Sequence, residues 1–352
     1  MLDAFYPGKP WLDTEGKRIQ AHGGSLLYHE GTFYWYGEDK TLTDGISPIW
    51  HHGVRLYASR DLYNWEDKGT ILKVSEDPMN PMHPHRIMDR PHILYNTGTK
   101  QFVMWVKFAG NAENPGDWRD QYMGVAVSED IEKPFRMVRT LHPLGMNSGD
   151  FDLMADPADG KGYIVFDRVH TEMVIADLTE DYTDVNGYYS SHFPKGHPPY
   201  TREAPAYFYR QGTHYLLTSG TTGYFPNPSE IAASGLMHGP WQELGDPHIG
   251  DPGHTSFDSQ ICSVFRHPLK KDLYIALADR WLVDLPEKRP DIAGYFDAQF
   301  SGNHAVLADL EGLDHLSANN TSLADYIWLP ILFEQGRPCI RWFDSWRTED
   351  FE

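Results

Sequence analysis

The stretch EAPAYFYRQGTHYLLTSG, residues 203–220, decides how this chain folds. It opens on an acid, runs through apolar residues to a turn at Gly212, and continues as a second β-rich run, HYLLTSG (214–220). Short runs rich in β-branched and aromatic residues, bounded by Gly, Asp, Asn or Pro, read as strands. The same frame recurs at HGGSLLYHEG (22–31) with TFYWYGE (32–38), and at DRPHILYNTG (89–98) with QFVMWVKF (101–108). It returns at DFDLMADPADG (150–160) with GYIVFD (162–167), and at SQICSVFRHP (259–268) with LYIALAD (273–279). A third run follows in four units: VRLYASRDLYNW (54–65), MGVAVSEDIEKPF (123–135), EMVIADLTEDY (172–182) and SEIAASGLMHGPW (229–241). Meanders repeating every roughly 50–70 residues indicate a β-propeller, and five units mean five blades. A β-sandwich also has many short strands, but does not repeat three strand types in one order. Residues 1–352 therefore read as a single all-β, five-bladed domain, with 283–322 as an insertion on one face of the fifth blade.

Composition narrows the ligand. The chain has 352 residues, 40% hydrophobic and 14% aromatic, enough for a sizeable core. Its formal charge is -20, and no cluster of Lys and Arg offers a surface to phosphate backbones. Nucleic acid and anionic membrane are excluded as partners, and a neutral oligosaccharide fits better. Nothing in the sequence sets an oligomeric state. The two cysteines, Cys262 and Cys339, form neither a disulfide framework nor a zinc motif and read as buried, inert thiols. The start MLDAFYPGKPW lacks a basic and apolar leader, and no apolar run approaches the ~18 residues of a membrane span. The expectation is a reduced, cytoplasmic protein.

The units share a register. Nine residues before Gly212, Gly98 and Gly31 stand Glu203, Asp89 and His22. Asp150 stands ten before Gly160, and Gln260 eight before Pro268. The innermost strands of a propeller line its channel, so these five residues are expected to form a ring at the channel mouth. A ring of acids suits glycosidic bond cleavage, which needs one carboxylic acid to protonate the leaving oxygen and a second group to attack or activate water. Clustered carboxylates raise one another's pKa. The apolar flank Ala204-Pro205-Ala206 makes Glu203 the candidate general acid.

Aromatic faces stack on the apolar faces of sugar rings. Tyr224 and Trp281, at strand ends, are the stronger candidates; for Trp35 and Trp105, in mid-strand, packing between blades is the stronger reading. Thr222, Arg280 and His22 join the candidate substrate contacts. Glu38 is read either as an acceptor for sugar hydroxyls or as a partner of Lys40 or Arg55.

The ordered motifs AHGG, FYWYGE, SGDFDL, REAPA, SGTTGY, TSFDSQ, ADRW and YIWLP resemble glycoside hydrolase family 43, and within it the subgroup of exo-β-1,3-galactanases. The resemblance spans about residues 20–335 and leaves the 283–322 insertion without a counterpart. It implies a five-bladed propeller and an inverting exo-hydrolase that releases terminal β-galactosyl residues from galactan-type oligosaccharides. By the same resemblance Glu203 is the general acid, Asp150 orients substrate and tunes that acid, and Gln260 positions the water. Asp89 stands where the subgroup has the Glu of Glu-Arg-Pro, as a base or a substrate-orienting group. One methylene less withdraws that carboxylate by roughly 1.5 Å, a shift to which positioned groups are sensitive. The first inner strand lacks the aspartate base of the wider family and offers His22, Gly23 and Gly24, which points to the galactanase-like branch. No cofactor is implied for the chemistry. A structural calcium ion in the channel is compatible with the resemblance, although no metal motif stands out. Family members that attack polymers are usually exported and carry a binding module, so short imported oligosaccharides are the expected substrates here.

Two other readings stay open. One keeps the fold and acid chemistry but changes the sugar, to an arabinofuranoside, xyloside or galactofuranoside. The other is a sugar-binding propeller without catalysis.

Overall fold

Each unit closes on itself as an antiparallel meander of four strands, because hairpin-length links between runs favour neighbours in sequence as neighbours in the sheet. The computed structural model describes residues 1–156, 159–285, 291–303 and 320–352. Blade one contains β1 (His22–His29), β2 (Thr32–Glu38), β3 (Val54–Ser59) and β4 (Glu66–Leu72). Blade two contains β5 (Ile87–Asn96), β6 (Gln101–Ala109), β7 (Gln121–Ser128) and β8 (Arg136–Leu141). Blade three contains β9 (Ser148–Ala155), β10 (Gly162–Arg168), β11 (Glu172–Leu178) and β12 (Val185–His192). Blade four contains β13 (Arg202–Arg210), β14 (Thr213–Gly220), β15 (Glu230–Ser234) and β16 (Gln242–Gly245). Blade five contains β18 (Gln260–Arg266), β19 (Tyr274–Arg280), β20 (Asp325–Glu334) and β21 (Arg337–Arg341), with the short β17 (His248–Ile249) parallel to β21 at its rim. The first strands β1, β5, β9, β13 and β18 contact one another in turn around a closed ring.

The outer strands β4, β8, β12 and β16 are mostly polar and partly exposed, so they carry no hydrophobic alternation for sequence reading to detect. The second strands are the opposite case. Each lies between two blades and is buried on both faces, so it reads as a nearly continuous apolar run rather than an alternation. Successive side chains point to opposite faces. Thus Phe33 and Trp35 pack toward blade five, while Tyr34 and Tyr36 pack toward blade two. Likewise Phe102, Met104 and Val106 face blade one, and Val103 and Trp105 face blade three. The remaining seams, three–four and four–five, are filled the same way. Trp35 and Trp105 are therefore core residues.

The first–fifth seam is closed by aromatic side chains. Trp328 of β20 meets Trp35 at 4.4 Å and Trp11 at 4.9 Å between ring centroids, and its carbonyl accepts from Trp346 Nε1 at 2.8 Å. Cys262 and Cys339 are free and buried. Of the insertion, 286–290 and 304–319 lie outside the described residues; the rest includes helix α1 (Ile292–Ser301). Trp328→Ala is expected to cost ~3–5 kcal/mol, the usual cost of truncating a buried Trp. Urea unfolding checks it, and a loss below about 1 kcal/mol would show that the seam does not depend on this ring.

Candidate active site

The ring residues are aimed by a device repeated in every blade. The inner strand slips register against its neighbour at or beside the ring position: between His22 and Ser25, Asp89 and His92, Glu203 and Ala206, and Ile261 and Ser263. In blade three the slip faces Phe166 and Arg168. Such bulges re-aim a side chain and are frequent beside active sites. In three blades the next residue turns left-handed: Gly23 (φ 60°), Arg90 (φ 53°) and Ala204 (φ 47°). Glycine adopts that conformation freely, whereas Arg90 and Ala204 hold it at a cost of ~1–3 kcal/mol each.

A second tier of polar residues lies across from the first. Glu38 pairs with His22 in register, Lys107 with Asp89, Ser219 with Glu203 and Asp279 with Gln260. In blade three Asp167 lies over Gly149, where a Cβ would come within 2.1 Å of Asp167 Oδ1, so only glycine fits.

The two tiers join into a belt. Lys107 Nζ lies 3.1 Å from Asp89 Oδ2 and 2.7 Å from Asp150 Oδ1. The Arg90 guanidinium reaches Asp150 Oδ2 at 2.9 Å and donates to Gln260 Oε1 at 2.5 Å. Gln260 Oε1 also accepts from Trp281 Nε1 at 3.2 Å, while its Nε2 donates to Ser219 Oγ at 2.9 Å and Glu203 Oε1 at 3.1 Å. Trp50 Nε1 donates to Asp89 Oδ1 at 2.6 Å. Lys40 Nζ pairs with Glu38 Oε2 at 2.9 Å, and the Arg90 backbone N–H donates to Glu38 Oε1 at 2.9 Å.

This belt contains five buried acids, Glu38, Asp89, Asp150, Asp167 and Glu203, and three permanent cations, Lys40, Arg90 and Lys107. The distribution of cations sets the protonation states. Burial raises the Asp150 carboxyl, but Arg90 and Lys107 outweigh it and hold it well below the usual range. Asp89 is likewise lowered, with Lys107 and Lys40 overcoming burial. Burial, reinforced by the charge of Asp150, outweighs the pull of His170 and Arg90 and pushes the Glu203 pKa up to about 8. Burial raises Glu38 to about 7 against the pull of Lys40. Asp167 is raised by burial, with His170 opposing. Glu203 is thus an acid at neutral pH beside a carboxylate that stays charged.

Above the belt is a cavity of about 570 Å3, within the ~300–1,000 Å3 range of small-molecule sites. Its wall is aromatic. Trp50 meets Trp118 at 5.3 Å, and Tyr224 meets Trp281 at 4.9 Å. The described part of the insertion completes it with Tyr295, Phe296, Gln299 and Phe300 of α1.

The sequence profile of the glycosyl hydrolases family 43 matches residues 18–260. The chain belongs to glycoside hydrolase family 43. No curated protein sequence matches it. Among solved structures, a family 43 β-1,3-galactosidase superimposes with a TM-score of 0.80 and 29% identity, covering 99% of this chain and 65% of its own. A second family 43 β-1,3-galactosidase, solved with galactodeoxynojirimycin, gives 0.79 and 28% over 98% of this chain and 100% of its own. An exo-β-1,3-galactanase from Phanerochaete chrysosporium, solved with β-1,3-galactotriose, gives 0.77 and 25% over 99% and 68%. This chain thus spans about two thirds of the length of two of these three proteins.

Within this family 43 site, Glu203, Asp150, Gln260, Asp89, Glu38, Thr222, Tyr224 and Trp281 all line the cavity. His22 and Arg280 do not. His22 is fully buried, its Nδ1 2.9 Å from Asp279 Oδ1 and its ring stacked on Tyr326, because the bulge at Gly23 turns it behind the wall. Arg280 donates to the Phe257 carbonyl at 2.9 Å. Glu38 takes Lys40 as its partner, and Arg55 pairs with Asp39 and Asp67 instead. Sequence reading missed Lys107, Asp167 and Arg90, whose signal was the matching end of each second strand (WVKF, VFDR) and the residue after the ring acid. It also missed Trp50, Trp118 and His170, which lie outside the strands, where no repeat marks them. Among the described residues, no three of His, Cys, Asp and Glu converge as a metal site. Lys40, Arg90 and Lys107 supply the positive charge found beside these acids.

The raised Glu203 carries a consequence for stability. Between its unfolded value and about 8, the folded protein holds a proton that the unfolded chain has released, so this group's contribution to stability falls as pH rises through that window. Glu203→Gln removes the dependence. The variant is expected to gain melting temperature relative to wild type, by a few degrees, as pH rises from about 4.5 to about 8. Equal pH slopes for both proteins in calorimetry would contradict the assignment.

Proposed function

We propose that this family 43 chain is an inverting exo-hydrolase that releases terminal β-galactosyl residues from β-1,3-linked galacto-oligosaccharides. The observation that carries the reading is Glu203, protonated at neutral pH and facing the cavity beside the Asp150–Arg90–Lys107 clamp. The likeness to β-1,3-galactosidases and an exo-β-1,3-galactanase supports the sugar. A cavity of this size, lined by Trp50, Trp118 and α1, suits the end of a chain.

Gln260 Nε2 occupies Glu203 Oε1, which leaves Oε2 to carry the acid proton to the glycosidic oxygen. As the bond breaks, positive charge grows on the anomeric carbon and ring oxygen. The ionised Asp150 and Asp89 stabilise it without moving, since their cations hold them in place. Water attacks from the opposite face. The Gln260 amide is filled by Glu203, Ser219, Arg90 and Trp281, so its role is to orient acid and clamp. Asp89 keeps acceptor capacity and takes the water's proton.

Proton NMR of β-1,3-galactobiose hydrolysis is expected to show α-galactose first, with kcat/KM falling above about pH 8 as Glu203 ionises. Glu203→Gln should lose about 10²–10⁴ in kcat. β-Galactose as first product would contradict inversion. A panel of nitrophenyl glycosides cleaved only as arabinofuranoside or xyloside would contradict the sugar.

A further inference from the structure

Helix α1 has the marks of a deliberately placed element. Asp291 caps its start, accepting from the Gly294 N–H at 2.9 Å, and Gly302 ends it in the left-handed conformation. Residues spaced by four share a helix face. Phe296 and Phe300 are such a pair, stacked at 6.4 Å and 11° and both turned to the cavity. Phe300 stays 47% exposed, an aromatic face at the cavity wall that the described residues do not cover.

The helix stands over the blades that supply the acid. Asp297 lies 3.7 Å from His197 Nε2, between blades three and four. A Cβ on Gly223, in the loop after β14, would lie 3.8 Å from the Phe296 ring. Phe300 meets the His170 ring edge-on at 6.4 Å. Beside His170 is Asp167, 1% exposed, and neither of its oxygens accepts a hydrogen bond among the described residues; His170 Nδ1 stands 3.4 Å from Oδ2. A buried carboxylate whose one ionic neighbour, His170, sits beyond good hydrogen-bond distance keeps acceptor capacity that is costly to leave unused. Two neighbouring sugar hydroxyls would.

We infer that helix α1 and Asp167 form the subsite for the leaving-group sugar: Phe296 and Phe300 take the apolar face of its ring, and Asp167 accepts from its hydroxyls. The glycon then lies toward Trp50 and Trp118. Helix α1 sets which leaving group is accepted. This inference rests on the glycosidase reading of the same cavity.

The test uses full-length Glu203→Gln protein, so that bound sugar survives, and calorimetric binding of galactose and of β-1,3-galactobiose. Adding Phe300→Ala, at a partly exposed position, is expected to cut the affinity gain from galactose to galactobiose roughly tenfold. Phe300→Tyr, which keeps the ring, is expected to restore it. Asp167→Asn, which removes the carboxylate but keeps its shape, is expected to reduce the same gain. The inference is overturned if Phe300→Ala and Asp167→Asn leave that gain unchanged, or weaken both sugars equally. If the glycoside panel identifies another glycon, the same comparison with that monosaccharide and its disaccharide carries the same outcomes. A wrong sugar and a wrong subsite therefore give different results.

Discussion

Lys107 sits between Asp89 and Asp150, and Arg90 between Asp150 and Gln260. The rest of the site depends on this clamp. In a buried ring, each cation placed against one acid is withheld from another. Spending Lys107 and Arg90 on Asp150 fixes a permanent negative charge at the channel mouth, and Glu203, raised first by burial, faces that charge. One carboxylate is thereby kept ionised and its neighbour kept protonated, the division of roles that glycoside cleavage requires. Removing either cation would strand a buried charge, so the interactions that shape the chemistry also hold the channel together.

The propeller makes this arrangement available. Its blades bring five strand starts to one ring, and a register slip at or beside each start turns a side chain toward the cavity or away from it. Glu203 and Asp89 are turned in; His22, at the equivalent place, is turned out to pair with Asp279. The left-handed backbone at Arg90 and Ala204 is strain located at the residues that follow the acids Asp89 and Glu203, and the seams packed with Trp35, Trp105 and Trp328 provide the rigidity that sustains it.

The fold was legible because the second strands, buried on both faces, advertise themselves as apolar runs, and because the order of strand types repeats. The outer strands were not legible, being polar and bordering water. The candidate ring was legible as a register, and four of its five members meet around the cavity. His22 was misplaced because a bulge follows it, and a glycine pair in a sequence does not say which way a bulge turns. Glu38 was seen but its partner was left open; burial beside Lys40 decides it. The cations Lys107 and Arg90 escaped notice because the register was counted for acids on one strand per blade, whereas the belt is built across two. Trp50 and Trp118 lie in connections between strands, whose paths are set by tertiary packing.

The most direct measurement of the central claim is the titration of the Glu203 carboxyl itself. Infrared difference spectra of wild type minus Glu203→Gln, taken across pH 4 to 10, isolate the protonated carboxyl band of this residue. The expected result is a band present at neutral pH that disappears with a midpoint near 8. A midpoint near 4.5, the ordinary value for a glutamate, would show that burial and the charge of Asp150 do not keep the acid protonated and would contradict the assignment of Glu203 as the proton donor.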